Sequence, residues 1–452
     1  MSAGDPLAPV LLCVSVGAGC WIAARAVRRV GQPAVVGEIA AGILLGPSLL
    51  GRLWPTGQAL LFPPDALPVI EALGDLGLLV FMFLVGHRFD LPALRGHSRI
   101  ALAVGQGSVL LPLLAGGVLA LAMYPSLAPP GVARLPFVLF IAVSLSVTAF
   151  PVLARILADR GLHHTTLGTL ATACAAVDDI TAWCLLALAV ALTRATSLWQ
   201  VPVTIAEAFG FVAAMTLGVR PLLACWASRV RNGLGAPSDS LALVLLFTGL
   251  SLSALITDAI GIHAIFGAFL FGVVTPRALP CVDLAARHLE SVAMPVLLPL
   301  FFITVGLGTN IGLLGAHARA WLWFVAILVV AVAGKWGGTA AAARLCGGPW
   351  RESLALGSLM NCRGVTELVV LNVGLSLGVL GSGLFTMLVL MALATTAMTV
   401  PALNRLQPSA TTTESAVTAA AQHGARSASL SPSRRSGEQP VQGGQFDGNP
   451  NQ

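Results

Sequence analysis

Of the 25 lysine and arginine residues in the chain, one is a lysine. Lys335 lies in AWLWFVAILVVAVAGKWGGTAAAARL, with no other charge between Arg319 and Arg344. An ionised side chain at the centre of a bilayer costs roughly 2.5 to 3.5 kcal/mol on insertion scales, so such a residue normally faces a partner or a water-filled path. The evident partner is Asp178-Asp179, in LATACAAVDDITAWCLLALAVAL, where no other charge stands between His164 and Arg194. A carboxylate pair and one ammonium, each deep in its own apolar stretch, are machinery for moving cations or protons.

Those side chains need apolar elements to carry them, and the composition supplies little else. The 452 residues are 56% hydrophobic and only 10% charged, with a mean hydropathy of +0.88; soluble domains average about 25% charged. The expectation is an all-α, polytopic membrane protein. Apolar runs of roughly 17 to 25 residues fall near 8 to 28, 34 to 51, 67 to 87, 98 to 122, 135 to 158, 165 to 193, 203 to 226, 239 to 257, 260 to 276, 290 to 308, 319 to 343, 353 to 374 and 381 to 403. That is about thirteen transmembrane helices. With the N-terminus outside, the inner loops collect Arg25, Arg28, Arg29, Arg88, Arg95, Arg99, Arg155, Arg160, Arg229, Arg231, Arg277, Arg287, Arg344 and Arg351. The outer loops hold Arg52, Arg134, Arg194 and Arg319. The bias obeys the positive-inside rule and leaves the C-terminus cytoplasmic.

Two spans carry helix-breaking or polar residues at mid-membrane depth, in corresponding places of the two halves. The fifth has LSVTAFPVLARIL, with Thr148 and Pro151; the twelfth has SLMNCRGVTELVVLNVG, with Asn361, Arg363, Gly364 and Glu367. Irregular backbone in hydrocarbon is tolerated only where protein buries it or water reaches it, and broken helices in matching positions of inverted repeats point to a transporter site. Read alone, Pro151 is a kink and Arg363 with Glu367 an intrahelical pair. Glu38 and Asp75 read as scaffold polar groups more readily than as cavity lining, Asp258 as a solvated outer turn, and His263 equally well as a capped structural histidine.

Other functions find little support. The arginines are scattered singly, without a basic stripe or interleaved aromatics, so nucleic-acid binding is set aside. The eight cysteines form no CxxC pair, which argues against zinc and a disulfide framework. Arg25, Arg28 and Arg29 follow the first apolar run, the reverse of a cleavable signal peptide. From about Gln407 the chain turns to Ser, Thr, Ala, Gly, Gln and Pro, a composition that cannot bury enough apolar surface to order itself. Residues 407–452 are therefore expected to be a disordered cytoplasmic tail. No enzyme activity and no cofactor are expected.

Seven segments together resemble the monovalent cation:proton antiporter-2 family, within the sodium/proton antiporter superfamily. They are GEIAAGILLGPSLLG, GDLGLLVFMFLVG, TAFPVLARIL, VDDITAW, IGIHAIFGAFLFGVVTPR, PLFFITVGL and NCRGVTELVVLNVG. The resemblance reaches about residue 405 and implies an inverted-repeat antiporter fold with two crossing broken helices. It implies a homodimer, an antiporter domain over 1–406, and a six-helix core over approximately 98–193 and 319–403, with the remaining spans forming scaffold. By motif, Asp179 is the carrier that binds Na⁺ or K⁺ in competition with H⁺, and Asp178 pairs with Lys335. Thr148, Pro151, Asn361, Arg363, Gly364 and Glu367 line the broken-helix cavity. The implied function is electrogenic antiport in the cytoplasmic membrane of a bacterium. A ligand-gated K⁺ efflux system, an exporter of an ionophore or drug with its cation, and a non-transporting sensor are the alternatives. The lack of a nucleotide-binding motif and the presence of Asp178 argue against the first, and the intact Asp178, Asp179 and Lys335 against the last.

Overall fold

A computed structural model describes residues 34–88, 98–162, 165–195, 199–231, 238–277, 279–315 and 318–406, with scattered positions between 19 and 32. Among these residues there are helices and connecting turns and no strands. The main helices are α1 (Ala34–Leu45), α2 (Leu67–Arg88), α3 (Ser98–Leu127), α4 (Arg134–Ser146), α5 (Phe150–Asp159) and α6 (Thr166–Arg194). They continue with α7 (200–231), α8 (Asp239–Ile260), α9 (Ala264–Val274), α10 (Pro280–Val292) and α11 (Leu298–Leu307). The last are α12 (Ala318–Leu345), α13 (Trp350–Met360), α14 (Val365–Ser376) and α15 (Ser382–Leu406).

Ten helical stretches among the described residues are long and apolar enough to cross a membrane, and α13 with α14 makes an eleventh, bent by 45°. The span expected near 260 to 276 is the shorter α9. The first expected span lies mostly outside the described residues, as does the tail from Gln407. The remaining expected spans each coincide with a helix or, at 135 to 158 and 353 to 374, with two half-helices separated by a break. The chain is a multi-pass membrane protein. Its outer faces carry exposed Leu114, Val118, Leu217 and Leu322, the apolar surface that lipid rather than water accommodates.

Two sets of contacts organise the described helices. In one, α3 packs on α4, α6 and α12, α13 packs on α12, α15 and α6, and α14 packs on α4 and α15. In the other, α2 packs on α9 and α11, α1 on α11, and α8 on α9 and α10. Close approach in the second set depends on glycine. A Cβ on Gly42 would sit 2.9 Å from the Phe302 carbonyl oxygen and 3.0 Å from Gly306 Cα, so α1 and α11 meet backbone to backbone, as small residues allow in membrane helices. The aromatic interior of this set includes Phe83, Phe301 and Phe302, all fully buried.

Candidate functional site

The site begins with an interruption. Helix α4 ends at Ser146, three residues run without helical form, and α5 starts at Phe150. Pro151 lies in the first turn of α5, where its missing N–H would have had no helical partner; the break precedes it, so proline starts the second half-helix rather than kinking one. The second interruption, Asn361–Gly364, lies between α13 and α14. The two breaks meet. Ala149 donates its N–H to the Cys362 carbonyl at 3.1 Å, and the Thr148 hydroxyl donates to the Met360 carbonyl at 3.0 Å. The Thr366 hydroxyl donates to the Thr148 carbonyl at 3.3 Å. Backbone groups orphaned by the breaks are thus satisfied across the crossing, the accounting that a low-dielectric interior demands.

Glycine allows this contact as well. A Cβ on Gly364 would come 2.6 Å from Val152 Cγ2 and 3.3 Å from Ala149 Cβ. Thr396 of α15 closes the second break from behind, accepting from the Arg363 N–H at 2.9 Å and donating to the Arg363 carbonyl at 2.7 Å.

Both buried cations reach the end of α4. The Arg363 guanidinium donates to the Ser144 carbonyl, to the Leu145 carbonyl at 2.6 Å and to Glu367 Oε2 at 2.8 Å. Lys335 Nζ donates to the Ser146 carbonyl. These are the last carbonyls of a half-helix, whose C-terminal partial negative charge attracts cations. Lys335 is turned inward on a π-helical turn of α12, Ala333–Gly337, a local widening often found at functional positions.

Asp178 and Asp179 sit next to each other on α6 and meet different surroundings. Asp178 takes Lys335 Nζ at 3.0 Å on each carboxylate oxygen, and Ser108 of α3 donates to it at 3.5 Å. Asp179 is 2% exposed, and its Oδ1 has no hydrogen-bond partner. It borders a cleft lined by Val147, Ala182, Trp183, Thr366 and Val370. The cleft is too narrow for a water molecule. Successive helical residues project about 100° apart, which is why one aspartate faces the ammonium and its neighbour the break.

The crossing therefore brings together Asp178, Lys335, Thr148, Arg363, Gly364 and Glu367, with Asp179 reaching it through Val147 and Thr366. Asn361 is at the second break with both side-chain amide atoms buried and unpartnered. Pro151 stands in the first turn of α5, just past the first break. Asp75 is exposed and Glu38 half-buried. Asp258 pairs with Arg194 at 3.4 Å in a partly exposed position. His263 precedes α9 with φ 106° and makes no capping bond. Sequence reasoning missed Ser108, Thr396 and Trp183. Only Trp183 carried a signal, its spacing of four from Asp179.

Among the described residues no group of three or more His, Cys, Asp or Glu side chains could hold a metal ion. The six cysteines that are described are free.

A family model for the transmembrane region of sodium/hydrogen exchangers matches residues 15–405. The chain is 41% identical over 387 residues to the Na⁺/H⁺ antiporter NhaS4 of Synechocystis, covering 84% of this chain and 92% of that protein. It is 39% identical to cation/H⁺ antiporter 19 of Arabidopsis thaliana, over 82% of this chain and 46% of that one, so it spans less than half the plant protein. Against the K⁺/H⁺ antiporter 1 of Saccharomyces cerevisiae, identity is 33% over 83% of this chain and 44% of the relative. The fold is similar to the sodium proton antiporter MjNhaP1 of Methanocaldococcus jannaschii, with a TM-score of 0.60, 14% identity, and coverage of 88% and 97%. Two crossing broken helices, the buried acid pair beside them and a match running through every described helix place the chain in the monovalent cation:proton antiporter family.

Proposed function

We propose that this protein is a secondary antiporter in which a monovalent cation, Na⁺ or K⁺, and H⁺ compete for Asp179. The observation that carries the reading is the unequal treatment of two adjacent aspartates. Asp178 is held by Lys335, whereas Asp179 keeps a buried oxygen without a partner in a cleft beside both helix breaks. A carboxylate in a dehydrated site can carry either a proton or a small cation but not remain bare at low cost. Competition at one group gives exchange without a separate coupling device.

In this reading α3 to α6 with α12 to α15 form the ion-carrying core and the other helices the scaffold, which agrees with the two sets of packing contacts. The exchange is electrogenic and the protein works as a homodimer in the cytoplasmic membrane, N-terminus outside and C-terminus inside. Relatives that carry Na⁺/H⁺ and K⁺/H⁺ names support both ions as substrates. The test is dissipation of an imposed ΔpH in proteoliposomes, scanned with Na⁺, K⁺, Li⁺ and an organic cation. Proton movement driven by an inorganic cation is expected; movement driven by the organic cation alone would replace this reading with a drug or ionophore exporter.

A further inference from the structure

We propose that Trp183 is the wall that selects cations by size at Asp179. The inference rests on Asp179 being the carrier. Trp183 follows Asp179 by four residues on α6, so the two side chains share a helix face, and both border the narrow cleft.

The indole is braced from another helix. Phe266 of α9 meets it edge-on, with centroids 5.7 Å apart, and Phe269 of α9 lies within 28° of parallel at 6.4 Å. Both geometries are favourable aromatic contacts. The ring is therefore fixed in the cleft wall by two side chains that do not belong to the acidic helix.

A second observation points to a ligand. Trp183 is 5% exposed and its Nε1–H has no acceptor, while Asp179 Oδ1 likewise has no donor. A buried indole N–H normally finds a partner. Two orphaned polar atoms on residues bordering one cleft mark a place that a bound species completes. A cation that keeps one water meets both needs once the cleft, closed to water here, widens around it: the metal ion sits on the carboxylate, and the water oxygen accepts from the indole. Space for that pair is limited by the indole itself, and cavity size with coordination sets selectivity among monovalent cations.

The experiment uses the full chain in proteoliposomes, with Trp183→Leu, which removes the ring, and Trp183→Phe, which keeps an aromatic group against Phe266 and Phe269. Half-saturating concentrations are measured for Li⁺, Na⁺, K⁺, Rb⁺, Cs⁺ and methylammonium. The ratio of Cs⁺ or methylammonium to Na⁺ should fall roughly tenfold in Trp183→Leu and less in Trp183→Phe, the scale on which small changes in pocket volume alter discrimination. A merely structural role lowers all rates together and leaves the ratios unchanged. The same ratios read from cation-induced shifts in melting temperature in detergent need no transport, so failed exchange and failed selection are told apart. Asp179→Asn serves as the control for the carrier itself. Ratios within about twofold of the parent in both folded variants would overturn the proposal.

Discussion

Lys335 Nζ stands 3.0 Å from each carboxylate oxygen of Asp178 and also donates to the Ser146 carbonyl, so one ammonium ties the acidic helix to the end of a broken one. Removing one partner of a buried pair strands the other charge, at about 3 to 5 kcal/mol, whereas removing both can be nearly neutral. Lys335→Ala and Asp178→Asn should each lower the melting temperature in detergent, and the double variant should lose less than the sum. Additive losses would show that the two are not coupled.

Asp179→Asn should abolish cation-dependent proton movement while leaving the melting temperature close to that of the parent. The amide keeps the shape of the carboxyl group but carries no charge to exchange. Normal ΔpH dissipation by a correctly inserted Asp179→Asn protein would sink the carrier assignment.

Voltage should act on the exchange. If the Asp178 and Lys335 pair yields a second proton when the cation binds Asp179, each cycle moves net charge, and one elementary charge is worth about 2.3 kcal/mol per 100 mV. In proteoliposomes with a clamped potassium potential and Na⁺ as the test ion, the Na⁺ gradient at which proton flux reverses should shift with the imposed voltage. A reversal point independent of voltage would mean one-for-one exchange with Lys335 protonated throughout.

Gly364→Ala should force the broken helices apart, because its Cβ would come 2.6 Å from Val152 Cγ2. Overpacking of this kind costs about 1 to 3 kcal/mol. Adding Val152→Ala on α5 makes room, so the double variant should regain part of the melting temperature and exchange rate lost in Gly364→Ala. No recovery would place the damage elsewhere than at this contact.

Arg363→Gln should be among the more destabilising substitutions in the chain. It leaves the Leu145 carbonyl short of a donor and Glu367 buried without its cation, again about 3 to 5 kcal/mol. Adding Glu367→Gln should recover part of the melting temperature, since the stranded carboxylate is then removed; a double variant no more stable than Arg363→Gln would show that the carbonyls, not the acid, dominate the loss.

Much of this arrangement was legible because charge is so scarce in the chain. One lysine and one acid pair in apolar runs announce each other, and the interrupted motifs around Thr148 and Gly364 announce the breaks. The spacing of Arg363 and Glu367 showed their pairing, but not that the guanidinium also reaches the Ser144 and Leu145 carbonyls more than two hundred positions earlier. That contact exists only once the helices cross. Pro151 marked the break without placing it: proline breaks a helix interior but suits a first turn, and the letters alone do not say on which side of the break it falls. The π-turn around Lys335 left no mark either, since AVAGKWGG reads as an ordinary apolar helix with small residues.

The last three carbonyls of α4 are held by cations from two other elements, Lys335 of α12 and Arg363 of the second break. Pulling these apart during turnover would add about 3 to 5 kcal/mol for each buried pair exposed, which slows a step by a hundredfold or more. The Arg363 ties, which give up no proton in any step, are thus the stiff part of the crossing. In the proposed exchange, a displacement that turned Asp179 from one side of the membrane to the other would carry the Arg363 ties with it and be taken up as shear between packed helices.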